Sequence, residues 1–196
     1  MLLAREQLIV AERLLHHEGE YAAATVAAAT AVEVMTDSLL SALMWEEHLS
    51  NPGAPSAADA AAGFEEGKSA ARAASELPRR LGGDWSSPGG PWQRWRSGGA
   101  TLRNRVVHGG YQPTRAEAQG LIDLAHDFER FTFDRLTARA NTYPRGTLML
   151  VARSGLEKRG RYNGRIKQFS EQVAPLEPSW SGSFSAWHSE LVAATL

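Results

Sequence analysis

Residues 102 to 108 read Leu-Arg-Asn-Arg-Val-Val-His, which places Arg103 five positions ahead of His108, with Asn104 directly after the arginine and Gly109-Gly110-Tyr111 following. A guanidinium holds a phosphate, or a developing phosphorane, through two parallel hydrogen bonds, and an imidazole is the side chain best suited to moving protons near neutral pH. Together these residue types point to phosphodiester binding or cleavage. From Trp85 to Ala116 there is no acid, while Arg94, Arg96, Arg103, Arg105 and Arg115 accumulate, so an anion is expected there. The same stretch reads alternatively as a basic face that solvates and pairs with acids elsewhere in the chain. The net charge is only −1, yet residues 1–84 carry 13 acids against 6 Lys or Arg, and residues 85–196 carry 9 against 15.

The elements that must position this pair are helical. Leu8, Ile9 and Leu15 mark the apolar side of a first helix from about Leu2 to His17, and Gly19 suits the left-handed residue past its end. Tyr21, Ala24, Ala28, Val32, Met35, Leu39 and Leu43 recur every three or four residues through a long central helix from Glu20 to about Leu49. Asn51-Pro52-Gly53 breaks it, and Ser56 with Asp59 offers a cap for an alanine-rich third helix reaching about Glu76, before Pro78. Residues 82–99 are rich in glycine and proline and carry Trp85, Trp92 and Trp95, which predicts an irregular connection pinned by aromatics.

The helix bearing Arg103 and His108 is expected to be short, from Ser97 or Ala100 to Val107, because Gly109-Gly110 ends it and leaves His108 in or just past its last turn. Thr114-Arg115-Ala116-Glu117 is a capping box, and Ala118, Leu121, Ile122, Ala125, Phe128, Thr132 and Leu136 mark one face of a last long helix. These elements predict an all-α, up-and-down bundle of four to five helices over residues 1–140. Residues 141–196 read as a basic, Trp-containing extension of mixed or irregular structure. Thr147 to Val151 suggests a short strand; Arg153, Lys158, Arg159, Arg161, Arg165 and Lys167 suit contact with nucleic acid; and Trp180, Phe184 and Trp187 are expected to clamp the end onto the bundle or a partner.

Several classes are set aside. The chain has no cysteine, which excludes disulfides and thiolate metal sites and suggests a cytoplasmic setting. Charged residues Arg5, Glu6 and Glu12 interrupt the start where a signal peptide needs an apolar run, and the uncharged stretch Tyr21 to Val32 is too short for a membrane span. Residues 62–69 loosely imitate a phosphate loop, but no strand precedes them and Glu65-Glu66 would repel phosphates. His16-His17 point about 100° apart on a helix and make a poor metal pair.

The order of long helices, then Arg103-Asn104-Arg105-Val106-Val107-His108-Gly109-Gly110-Tyr111, then the capping box opening a final amphipathic helix, resembles the HEPN superfamily, whose hallmark is Arg, usually a polar residue, then His after four to six intervening positions. The resemblance covers roughly residues 1–140. It implies a metal-independent endoribonuclease without cofactor, a toxin or defence effector, dimeric with two Arg/His pairs at the interface, and an antitoxin or defence-system protein as a possible partner. In that reading His108 is the general acid or base and Arg103 binds the scissile phosphate, while Asn104, four residues before His108 and on its face, would orient the imidazole or the phosphate.

Arg96 and Arg105 would add phosphate contacts, Tyr111 would stack on a base, and Glu33, the one charge in an apolar run, would orient Arg103. Some HEPN toxins carry a tyrosine two residues after the histidine that an AMP-adding antitoxin modifies; here Tyr111 stands three residues after it. Other readings remain open: an ion pair of Arg103 with Glu33, His108 as a helix cap, and a non-catalytic module that binds RNA, nucleotide or a partner protein. On a straight helix Arg103 and His108 lie roughly 140° apart, so they converge only if the helix ends at His108 or if two chains face each other.

Overall fold

The computed structural model describes residues 2–51, 53–64 and 72–195. About 80% of the described residues are helical and no strand occurs among them, so the fold is all-α. Where the sequence sets residues 1–140 against 141–196, contacts group the chain into interleaved units, Met1–Ser38 with Asp84–Thr132 and Leu39–Gly83 with Phe133–Leu196. Of the three boundaries, those after Ser38 and Thr132 fall inside long helices, and the one after Gly83 falls in a non-helical connection.

In the first unit, α1 (Leu2–Arg13) runs on through a π turn, Leu14–Glu18, to Gly19 at φ 71. Its buried stripe is Ala4, Leu8, Ala11 and Leu15. Ile9, expected on that stripe, is 65% exposed because it lies about 100° around the helix from Leu8. α2 (Tyr21–Ser50) buries Ala24, Ala28, Val32 and Met35 in this unit. By length and composition α2 is apolar enough to cross a membrane, but 67% of its most apolar window is buried within the protein, as in a core helix.

The connection expected to be irregular through residue 99 is non-helical only to Gly90. From Pro91 the chain is continuously helical, through α5 (Pro91–Arg94) and a π turn, Trp95–Gly99, into α6 (Ala100–Gly109). Pro91 suits a first turn because its missing N–H needs no intrahelical partner. Trp85, Trp92 and Trp95 are buried as expected, and Trp85 meets Phe128 and Phe131 edge-on. α7 (Arg115–Ala138) supplies Ala118, Leu121, Ile122, Ala125, Phe128 and Thr132 to this core. The buried Thr132 hydroxyl is satisfied by the carbonyls of Phe128 (3.0 Å) and Glu129 (2.9 Å).

In the second unit, the side-chain cap expected from Ser56 and Asp59 is a full capping box at the start of α3 (Ala57–Ala61). The alanine-rich helix predicted to reach Glu76 ends at Ala61 in a turn over residues 62–64, and residues 65–71, including Glu65 to Ser69 of the phosphate-loop-like stretch, fall outside the described residues. A π turn, Arg72–Glu76, then leads into α4 (Leu77–Leu81), so helical structure runs through Pro78 rather than stopping before it.

The C-terminal part is helical, a correction to the mixed extension expected from the sequence: α8 (Pro144–Lys158), α9 (Gly164–Gln168) and α10 (Trp180–Thr195). Thr147 to Val151 lies inside α8. Pro144 opens that helix and Glu46 accepts the backbone N–H groups of Arg145 and Gly146 at 2.8 Å each, which outweighs the β preference of a branched run. Trp187 and Leu191 of α10 are buried with Trp45, Ala57, Ala60 and Ala61.

Candidate functional site

Arg103, Asn104 and His108 all lie on α6, an unbroken ten-residue helix closed by Gly110 at φ 62. No residue of this helix is buried. Leu102 and Val106 are half-buried on its inner side, whereas Asn104, Arg105, Val107 and His108 are exposed and Arg103 is half-exposed. Counting about 100° per residue, Arg103 and His108 stand roughly 140° apart as the two edges of one outer face, with Val107 and Asn104 between them. Val107 is 46% exposed at the middle of that face. The helix continues to Gly109, so its end does not fold His108 back onto Arg103. One chain presents the two groups side by side without joining them.

The helix is fixed at its start by a glycine. A Cβ on Gly99 would stand 2.4 Å from Trp95 Cε3 and 2.8 Å from Leu121 Cδ1, so only glycine permits this approach of the π turn to α7. Single π turns inside helices recur at functional sites, where they re-aim the residues that follow.

Around this frame the expected site residues divide. Arg103 Nη1 donates to Asn104 Oδ1 at 3.2 Å, so these two neighbours are brought together. Arg105 lies with its guanidinium carbon 3.7 Å over the Tyr111 ring, and Tyr111 donates its hydroxyl to Glu117 at 3.0 and 3.1 Å. One face of Tyr111 is thereby already covered by a cation. Arg96 is exposed on the π turn, and Glu33 is half-buried on α2 with an interaction of its own.

Glu117 was legible only as a capping residue. It receives the Thr114 backbone N–H (2.8 Å) and hydroxyl (2.9 Å) as well as Tyr111, and the Thr114 N–H, ahead of the hydroxyls, holds its carboxyl below the usual range. Beside it opens a groove of about 360 Å³, floored by Leu102, Leu121 and Leu124 and edged by Thr101, Arg105 and Glu117.

A second polar cluster, in the other unit, was not anticipated. Burial pushes the Glu46 carboxyl up to about 7 despite its two backbone N–H donors and the Arg145 guanidinium 3.6 Å away. Glu47 accepts Arg80 Nε at 2.9 Å and the Tyr143 hydroxyl at 2.7 Å, and burial raises the Tyr143 hydroxyl well above its ordinary value. Arg145 also pairs with Glu177, which accepts Trp180 Nε1 at 2.7 Å. The sequence signal was a Glu pair closing the apolar run Leu39 to Trp45, with Pro144 opening a helix about a hundred residues on. These groups satisfy one another and hold helix ends. Among the described residues no cluster of three or more His, Asp or Glu is arranged for a metal ion.

Fold and site thus define an all-α protein that displays an Arg/Asn/His-bearing helix on its surface. Compared with protein-family models, curated proteins and solved structures, the chain matches none.

Proposed function

We propose that the chain is a metal-independent endoribonuclease of HEPN type, a toxin or defence effector whose active site forms when two copies pack their α6 helices together. The observation that carries this reading is the outer face of α6, where Arg103, Asn104 and His108 share an exposed surface with Val107 and no side chain is buried. A short helical segment gains order chiefly from tertiary packing, so an apolar residue such as Val107, 46% exposed on an outer face where no side chain is buried, suits burial by a partner. A two-fold axis running parallel to α6 between the two copies would set the Arg103 edge of each across from the His108 edge of the other, because they occupy opposite edges.

The chemistry then needs no cofactor. One His108 takes the proton of an RNA 2′-hydroxyl, the freed oxygen attacks the adjacent phosphorus, and the P–O5′ bond breaks. The protonated His108 of the second copy returns a proton to the leaving 5′ oxygen. The products are a 2′,3′-cyclic phosphate and a 5′-hydroxyl end. Such proton transfers contribute on the order of 10²- to 10⁴-fold. Arg103 neutralises charge building on the non-bridging oxygens, with Asn104 holding the guanidinium in place. Arg96 and Arg105 supply further phosphate contacts along the acid-free stretch.

The test is labelled RNA and DNA of one sequence, incubated in excess chelator with the wild type, Arg103→Ala and His108→Ala. The expected result is RNA cleavage by the wild type alone, with cyclic phosphate ends and intact DNA. Cleavage by all three proteins, or by none, removes the catalytic reading and leaves a helical binding module.

A further inference from the structure

The groove beside α6 has the composition of a nucleobase subsite. Its floor is Leu102, Leu121 and Leu124, and Gly98 and Gly120 leave open space where other residues would carry a side chain. A groove with a largely apolar lining suits an aromatic heterocycle, and its size of about 360 Å³ falls within the range of small-molecule sites. On the α6 surface, Thr101 and Arg105 line the groove, and His108 follows Arg105 three residues on, so the groove lies on the His108 side of the helix.

The rim adds selectivity. Glu117 Oε2 accepts from Tyr111 and twice from Thr114, whereas Oε1 accepts only from Tyr111 at 3.0 Å and keeps acceptor capacity. A carboxylate accepts and does not donate. Guanine is the base that presents two adjacent donors, N1–H and the N2 amino group, on one edge. Adenine and cytosine each set a ring acceptor beside their amino group there, and uracil flanks its one N–H with two carbonyls.

The geometry points to a guanine-binding groove, formed by α6 and α7 and edged by Glu117, that selects the nucleotide next to the scissile phosphate. The inference rests on the ribonuclease reading for its place in the reaction, but the binding of a base is measured separately. The four nucleoside 3′-monophosphates are titrated calorimetrically into the full chain in excess chelator. Guanosine 3′-monophosphate is expected to bind about tenfold more tightly than the other three.

Glu117→Gln, which keeps a capping box, and Gly120→Leu, which projects into the open groove, should each abolish the preference; His108→Ala should retain it. Equal binding of all four nucleotides, no binding by any at millimolar concentration, or a guanosine preference that survives Gly120→Leu overturns the groove. RNA cleaved without base preference, with equal nucleotide binding, refutes the groove and leaves the nuclease standing. A guanosine preference lost in Gly120→Leu, in a protein that cuts no RNA, establishes the groove and refutes the nuclease.

Discussion

Removing the charge from Glu46 should change how stability depends on pH. This carboxylate is almost wholly enclosed, capping the start of α8 through the N–H groups of Arg145 and Gly146, and burial raises it from 4.5 to about 7. The folded state therefore binds its proton more tightly than the unfolded chain does. The resulting stabilisation is complete below about pH 4.5, declines as pH rises, and is gone above about pH 7. At about 1.36 kcal/mol per pH unit, the full span is on the order of 3 kcal/mol.

Glu46→Gln keeps the size and one acceptor oxygen but has nothing to ionise, so its stability should lack this component. Urea unfolding, followed by circular dichroism at a series of pH values from 4.5 to 8, gives the difference between the two proteins. That difference should slope against the wild type by up to about 1.4 kcal/mol per pH unit in the middle of the window and flatten above pH 7. A constant difference across the series would refute the reasoning, since Glu46 would then titrate alike in both states.

Three further outcomes follow from packing and backbone geometry. Gly99→Ala forces a Cβ against Trp95 and Leu121, and thermal unfolding should register a loss of about 1–3 kcal/mol. Arg80→Ala deprives Glu47 and Glu76 of a buried guanidinium that reaches them at 2.9 and 2.5 Å, and chemical denaturation should show a cost of about 3 kcal/mol or more. Ala152 sits at φ 60 and ψ 170 within α8, a conformation native to glycine, so Ala152→Gly should raise stability by about 1 kcal/mol in the same assay.

What was legible in the sequence was what repeats or acts locally. The stripes of α2 and α7 were readable because a helix returns to the same face every three or four residues, and all the marked positions from Ala24 to Leu43 and from Ala118 to Leu136 are buried. Both caps, at Ser56 and Thr114, were readable because their partners lie three residues apart. Thr147 to Val151 was misread because the carboxylate that starts its helix lies about a hundred residues upstream. Ile9 was misplaced because two adjacent apolar residues do not say which one faces inward.

The site divides in the same way. Arg103, Asn104 and His108 were visible as one helical segment, and their common exposed face follows from its period. The groove beside them was not visible, because it depends on Gly99 letting the π turn meet Leu121, and on Glu117 serving the groove as well as the cap.

The lack of any fully enclosed side chain along Ala100–Gly109 also bears on how firmly that segment is held. Its amide protons should exchange with solvent among the fastest of the helical ones, since little burial opposes local opening. Whatever settles over it contributes to its order as well as to contact, so part of the association energy is absorbed in stiffening the segment. Slow exchange there would then report occupancy directly, before any reaction is measured.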